Sequence, residues 1–534
     1  MIILLIWSAV LVALLALFVR NTYSRFSEYG VKHEKIVPFF GNMLSVVLRQ
    51  KHLGEHLEKM YNTFPDERFI GRYEFIRPTL VITDLDLVKK ITIKDFEYFI
   101  DHRGFTDDKL EPMFARNLFS LKGEEWKDMR STLSPAFTSS KIKLMVPFME
   151  EVGEQMIKAL KNKIKDSDNG FIDVDVKDLT CRYANDVIAS CAFGLKVDSH
   201  TEENNKFYEM GKVASTFKFR QMLIFFLLSA CPALANRLKL KLFSNQTKDF
   251  FIELVTSTMK DRELRHIIRP DMIHLLMEAK KGQLSHDEKT DNGHQQDTGF
   301  ATVEESSVGK KTNNRVWSDN DLIAQAVLFF IAGFETISTA MSFALHEIAV
   351  HPDVQDRLVK EIKEDNVKNG GKLNFNAIQS MTYLDMVTSE VLRLWPPALA
   401  LDRMCVKDYN MGKANSKATT DYVIKKGEIL SIPTWCFHRD SQFFPDPLKF
   451  DPERFSDDNK HKINPMAYMP FGLGPRNCIG SRFALCELKS LIYQILLHIE
   501  VSPSHKTCLP AKLSTETFNP RMKGGHWLRF KIRN

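Results

Sequence analysis

Phe471-Gly472-Leu473-Gly474-Pro475-Arg476-Asn477-Cys478-Ile479-Gly480 decides the reading of this chain, and it runs straight into an amphipathic stretch, 481–500. One cysteine sits on a glycine-flanked loop at a helix start, with an arginine two residues before it. A helix N-terminus offers free N–H groups and a partial positive charge. Both favour the thiolate, which is the metal-binding form of cysteine. Gly474 and Gly480 lack a Cβ, so the backbone can pass close to a flat cofactor. Haem carries two propionates, and arginine pairs bidentately with carboxylate. On this reading Cys478 binds haem iron, the loop from Phe471 covers a porphyrin face, and Arg476 meets a propionate. A lone cysteine is more often simply buried. The full pattern F-x-x-G-x-R-x-C-x-G, with a helix following, favours the haem reading.

Outward from the loop, two other stretches stand out. Ser318-Asp319-Asn320-Asp321 is a helix start with an acid three residues after the cap. The helix it opens runs to about residue 350. In its middle lies Ala332-Gly333-Phe334-Glu335-Thr336. Glycine in a helix interior costs about 1 kcal/mol against alanine, so a functional reason is expected there. A lone threonine in a helix usually bonds its own backbone, and that alternative stays open. Glu390 and Arg393 share a helix face at i and i+3, and Trp395-Pro396-Pro397 ends that helix. Asp451-Pro452-Glu453-Arg454-Phe455 follows downstream. Taken alone, Glu390 and Arg393 read as an ordinary exposed pair.

The loop 471–480, with the run 123–145, resembles the cytochrome P-450 superfamily, and within it insect microsomal forms of the drug-metabolising type. The resemblance covers nearly the whole body, 38–530, and implies the roles that follow. Cys478 is the axial thiolate of haem b, a ligation that favours O–O cleavage. Thr336 and Glu335 handle oxygen and protons. Phe329, Phe330 and Ala332 face the substrate, as do Ala398 and Leu399. Trp126, Arg130 and Arg403 join Arg476 at the propionates. Glu390, Arg393 and Arg454 form a buried network behind the cysteine loop. The implied fold is mainly α with a small β region: one large haem domain, 38–534, tethered by one N-terminal transmembrane helix. The implied reaction is monooxygenation of lipophilic substrates, xenobiotics first. Electrons come from NADPH through the flavins of a cytochrome P-450 reductase, with cytochrome b5 as a second donor. Lys127, Lys141 and Lys143 are candidates for a basic docking face.

Bulk properties agree with an ordinary globular body. The chain has 534 residues, 44% hydrophobic and 26% charged, with net charge +6. That charge is too diffuse to argue for nucleic acid. Eight scattered cysteines with no C-x-x-C pair indicate neither zinc nor a disulfide framework, and point to a reducing compartment. Residues 1–19 carry no charged side chain. As a helix they reach about 28 Å, close to the hydrocarbon thickness. A basic n-region and a small-x-small cleavage site, the marks of a signal peptide, are unclear here. Arg20, Arg25, Lys32 and Lys35 all follow the span, which places the body in the cytosol. This reads as a single-pass anchor in the endoplasmic reticulum membrane.

Residues 20–37 read as a polar linker, with only Pro38 where the family has a proline-rich hinge. Residues 68–75 and 79–83 read as a hairpin of strands. The segment 280–315 is rich in Ser, Thr, Asn, Gln, Asp and Lys and reads as a flexible surface excursion. Residues 413–421 are a further extension between two strands. Residues 222–234 are strongly apolar, with basic residues just beyond. They read as a buried helix or as a surface that dips into the membrane. Two rivals remain at this level. One is a reductase-independent haem isomerase, which the Glu335-Thr336 pair argues against. The other is an anchored binding protein without catalysis. Xenobiotic and endogenous lipid or hormone substrates are both compatible with the sequence.

Overall fold

The computed structural model describes residues 2–533 except 105–110, 203, 216–220, 222, 225–226, 229–231, 282–298 and 304–316. Its centre is one long helix, Asp319–Val350. Ser318 caps it, accepting from the Asp321 N–H while the Asp321 side chain accepts from the Ser318 N–H. This helix is as apolar as a membrane span, yet 67% of its most apolar window is buried. Apolar residues on all sides are what a helix running through a core requires. The helices Val176–Ile188, Thr382–Leu394 and Ser481–His498 pack against it, Val146–Lys165 packs on the first and last of these, and all four share the largest core cluster.

Among the described residues, three small sheets accompany this helical body. In the largest, Phe69–Glu74 pairs antiparallel with Arg77–Ile82, the expected hairpin. Arg77–Ile82 then runs parallel to Ile429–Ile432, which pairs antiparallel with Leu401–Met404 and sets Arg403 opposite Leu430. That last strand delivers Arg403 to the site. Residues 413–421 lie between the paired strands Tyr409–Gly412 and Tyr422–Ile424.

Among the described residues, the other helix long and apolar enough to cross a membrane is Ile2–Tyr23, none of whose window is buried. The helix outruns residue 19, and the segment after it is not a loose polar linker. Tyr23 donates to the Phe75 carbonyl at 3.0 Å. Phe26 is fully buried against Gly71, where an added Cβ would lie 2.4 Å from its ring. Arg25 donates to Glu428 at 2.8 Å. Three large side chains clustered at 23–26 thus stitch the start of this segment to the first sheet.

The polar segment 280–315 also departs from expectation where it is described. Gly299 and Ala301 are buried, and Phe300 packs against the main core. The apolar pair Phe300-Ala301 inside a polar stretch is enough to anchor a turn. The remainder of that excursion lies outside the described residues.

Candidate active site

A cavity of about 440 Å³ lies between the long helix and the cysteine loop. The long helix lines it with Phe329, Ala332, Gly333 and Thr336. Ala398 follows the helix Thr382–Leu394, and Arg403 comes from its strand. Trp126 and Arg130 sit one turn apart on the helix Gly123–Leu133. The loop itself supplies Phe471, Arg476, Cys478 and Gly480.

Backbone hydrogen bonds fix the loop. The Cys478 N–H donates to the Phe471 carbonyl at 2.8 Å, and the Asn477 N–H to the Gly474 carbonyl at 3.0 Å. Gly472 and Gly474 adopt φ of +78° and +69°, the left-handed region that favours glycine. Gly474 serves this turn and a close approach to the chain, not to a cofactor. An added Cβ there would lie 1.8 Å from the Thr92 carbonyl oxygen. Gly480, in contrast, lines the cavity, with only Phe137 within reach of an added Cβ, at 3.7 Å.

The Cys478 sulfur is open to the cavity, although protein encloses the cavity around it. Enclosure therefore sets its acidity, and burial pushes the thiol up. The Gly480 N–H and Arg130 oppose that shift. The helix start alone does not make a thiolate here. Coordination to a metal would, since a ligating thiol is deprotonated outright.

Three arginines converge beside the sulfur. Arg476 is buried, donates to the carbonyls of Ile100 at 2.7 Å and Leu121 at 2.8 Å, and stacks over Trp126 at 4.0 Å. Burial, then the neighbouring Arg403 charge, depresses it to about 8, with Asp101 and Asp402 opposing. Burial likewise lowers Arg403 to about 10. The buried Arg403 Nε has no hydrogen-bond partner. Arg130 donates to the carbonyl and side-chain oxygens of Asn477, both at 2.8 Å. Crowded buried cations with an orphaned donor call for an anionic guest. An apolar slot ending on a thiol, rimmed by arginines, fits a flat dicarboxylate such as haem.

The cytochrome P450 family model matches residues 32–526. The chain belongs to the cytochrome P450 family. It is 44% identical over 519 residues to Cytochrome P450 9e2 of Blattella germanica, spanning 95% of this chain and 94% of that one. It is 42% identical over 517 residues to Probable cytochrome P450 9f2 of Drosophila melanogaster, spanning 95% of each. Cytochrome P450 6j1 of Blattella germanica is 34% identical over 518 residues, spanning 96% and 94%. Membership makes this P450 a monooxygenase of the oxidoreductase class and implies haem held by a cysteine thiolate.

Other expected site residues of this P450 divide. Glu390 and Arg393 are fully buried and joined by two hydrogen bonds, 2.6 and 2.9 Å. Arg454 reaches Glu390 at 3.5 Å. Arg393 also donates to the carbonyls of His438 at 2.6 Å and Pro447 at 2.8 Å, fastening the helix Thr382–Leu394 to the wall before the loop. Thr336 faces the cavity while donating to the Ala332 carbonyl at 2.5 Å.

Three residues point elsewhere. Glu335 is buried off the cavity, 2.9 Å from Arg521 and 3.4 Å from Lys177. Burial would raise its pKa, but Lys177 and Arg521 together hold it below the usual carboxylate value. Neighbouring helix positions differ by about 100°, so Glu335 does not share the threonine's face. Phe330 is fully buried among Phe207, Phe251 and Phe334. Leu399 turns into the main core, leaving Ala398 and Leu401 at the cavity. Of the basic docking candidates, Lys127 is already engaged by Glu97 at 3.1 Å and Glu124 at 3.0 Å.

Among the cavity residues that escaped the sequence reading, two are ionisable. His102 stands 3.0 Å from Asp402, its ring stacked 4.3 Å from Phe119. Glu487, on the helix after Cys478, is buried with both oxygens unpartnered, and burial raises its pKa well above the ordinary value. No local motif marks either.

Proposed function

We propose that this P450 inserts one atom of dioxygen into lipophilic small molecules, xenobiotics foremost, with electrons from NADPH delivered by cytochrome P450 reductase and, secondarily, by cytochrome b5. The convergence of Arg130, Arg403 and Arg476 around an apolar cavity that ends on Cys478 carries this reading. When bound, haem b supplies the iron at which dioxygen is reduced, one atom entering substrate and the other leaving as water.

The chain's own residues do the rest. Cys478 would hold the haem iron through its thiolate, and the bond from its N–H to the Phe471 carbonyl holds the sulfur in register. Arg403 and Arg476 would meet the haem propionates, while Arg130 braces the loop through Asn477. Trp126 fixes the Arg476 plane by stacking, worth about 1 kcal/mol or more when desolvated. Phe329, Ala332 and Ala398 exclude water and present an apolar wall to substrate. The Thr336 hydroxyl donates to helix backbone at rest and is free to turn and donate a proton into the cavity. Glu390, Arg393 and Arg454 keep the rear wall fixed.

The helix Ile2–Tyr23 supports a single-pass anchor, placed in the endoplasmic reticulum membrane with the body in the cytosol. Leu223, Leu234 and Leu238 are exposed beside Arg237 and Lys239, which supports membrane contact near 222–234. Ile224 and Leu228 of the same stretch turn inward into a small buried cluster with Ala235 and Leu242, while 222, 225–226 and 229–231 lie outside the described residues. The test is a substrate-binding spectral screen with recombinant protein, followed by turnover of the hits with and without NADPH and reductase. Product that requires both is expected. Undiminished product without them contradicts the monooxygenase reading and favours an isomerase.

A further inference from the structure

The turn Gly299–Thr302 is described between two stretches, 282–298 and 304–316, that lie outside the described residues. It closes on itself, the Thr302 N–H donating to the Gly299 carbonyl at 3.0 Å. The Phe300 N–H donates to Asp385 at 2.9 Å. Asp385 lies on the helix that carries Glu390, and Lys489 from the helix after Cys478 approaches it at 2.8 Å. Gly299 rests on this pair of a half-buried Asp385 and a buried Lys489, where an added Cβ would come 2.9 Å from an Asp385 oxygen. Ala301 is 3% exposed. A polar segment thus plants one apolar turn in a socket built from the helix that carries Glu390 and the helix that follows Cys478.

The Phe300 ring continues into an aromatic row. It lies 5.3 Å from Tyr468 and 5.0 Å from Phe455, just past Arg454. Tyr468 stacks on His438 at 5.4 Å and 18°, and its hydroxyl donates to the Ser389 carbonyl at 2.9 Å. His438 in turn accepts the Met469 N–H at 2.9 Å. Met469 accepts the Gly472 N–H at 3.1 Å, and Phe471 accepts the Cys478 N–H. One continuous path of rings and hydrogen bonds runs from Phe300 to the cysteine.

We propose that Phe300 is a positioning residue. The docked Gly299–Thr302 turn is an internal ligand that clamps Tyr468 and His438, and through them holds the Met469–Cys478 loop in its ligating geometry. Packed aromatic pairs contribute beyond their buried area, and Phe300 closes the open end of the row. Release of the turn therefore loosens the loop without touching the cavity. This rests on Cys478 being the haem ligand only for its spectral consequence; the docking and the clamp stand on the contacts alone.

The test uses the full-length, detergent-solubilised holoenzyme with Phe300→Ala and Phe300→Leu. Amide hydrogen exchange is read in two segments, 299–303 and 469–478, alongside the rate at which the red-shifted carbon-monoxide band decays on mild warming. Loss of two aromatic pairs predicts about tenfold faster exchange in both segments and faster decay of the band for Phe300→Ala. Phe300→Leu, which fills the socket without a ring, should lie between. Faster exchange at 299–303 with none at 469–478 overturns the clamp. No change in either segment overturns the docking. If Phe300→Ala yields no holoenzyme, Phe300→Leu decides by the same two segments. A wild-type protein lacking the red-shifted band refutes the thiolate reading, while the exchange arms still decide the clamp.

Discussion

Arg130 grips Asn477 with both ends of its guanidinium: one nitrogen donates to the backbone carbonyl and the other to the side-chain oxygen, each at 2.8 Å. Asn477 immediately precedes Cys478. A planar fork on a helix thereby sets the last peptide before the sulfur. Arg130→Lys keeps the charge but not the fork, so it should restore little of what Arg130→Ala loses. Each lost charge-assisted bond is worth about 1.5–3 kcal/mol. Haem retention on gel filtration should fall for both variants; full retention in Arg130→Lys would show that charge alone matters.

Glu390 is fully buried and carries Arg393, Arg454 and the Asp451 N–H on its two oxygens. Removing it strands a buried cation, at a cost of about 3–5 kcal/mol. Glu390→Ala should therefore give little haem-loaded protein on expression. Normal incorporation, read from the haem-to-protein absorbance ratio, would remove the network from the account.

Thr336→Val keeps shape and removes the hydroxyl that faces the cavity. Substrate-binding spectra and haem content should be unchanged, while product formed per NADPH consumed falls by about a hundredfold, the low end for one lost proton donor. Equal coupling in mutant and wild type would assign the hydroxyl to the helix backbone alone, where it now donates to Ala332.

Two buried glutamates predict pH effects of opposite sign. Glu335 has a folded pKa held below 4.5 by Lys177 and Arg521 against burial. Its contribution is present above pH 4.5 and is lost as pH falls through the lower folded value. Glu487 has a folded pKa raised by burial. The folded state therefore holds its proton more tightly, and stability is lost as pH rises above 4.5. Thermal melts between pH 4.5 and 8 should show Glu335→Gln destabilised across this range and Glu487→Gln gaining on wild type as pH rises. A Glu487→Gln difference that does not change with pH would contradict the second assignment.

The cysteine loop and the Glu390 network were legible because each is a local pattern whose residues must meet: a glycine turn ends on Cys478, and i,i+3 spacing aligns Glu390 with Arg393. Orientation on the long helix was not. That helix is buried on nearly every side, so its composition carries no polar face to mark which way Glu335 or Phe330 points. Spacing placed Phe330 beside Phe329 in sequence, and packing with Phe251 and Phe207 placed it on another side. The role of Gly474 was misread for a related reason: the backbone it must approach, Thr92, is remote in sequence. Phe300 and Glu487 were missed because their partners, Tyr468 for one and none for the other, come only with the tertiary structure.

The central claim is that Cys478 gives a thiolate to haem iron. The reduced, carbon-monoxide-bound spectrum of the full chain tests it most directly. The wild type should show a strongly red-shifted Soret band, and Cys478→Ala should lack it while remaining folded by circular dichroism. A red-shifted band that survives in Cys478→Ala, or is absent from well-folded, haem-loaded wild type, would contradict the claim.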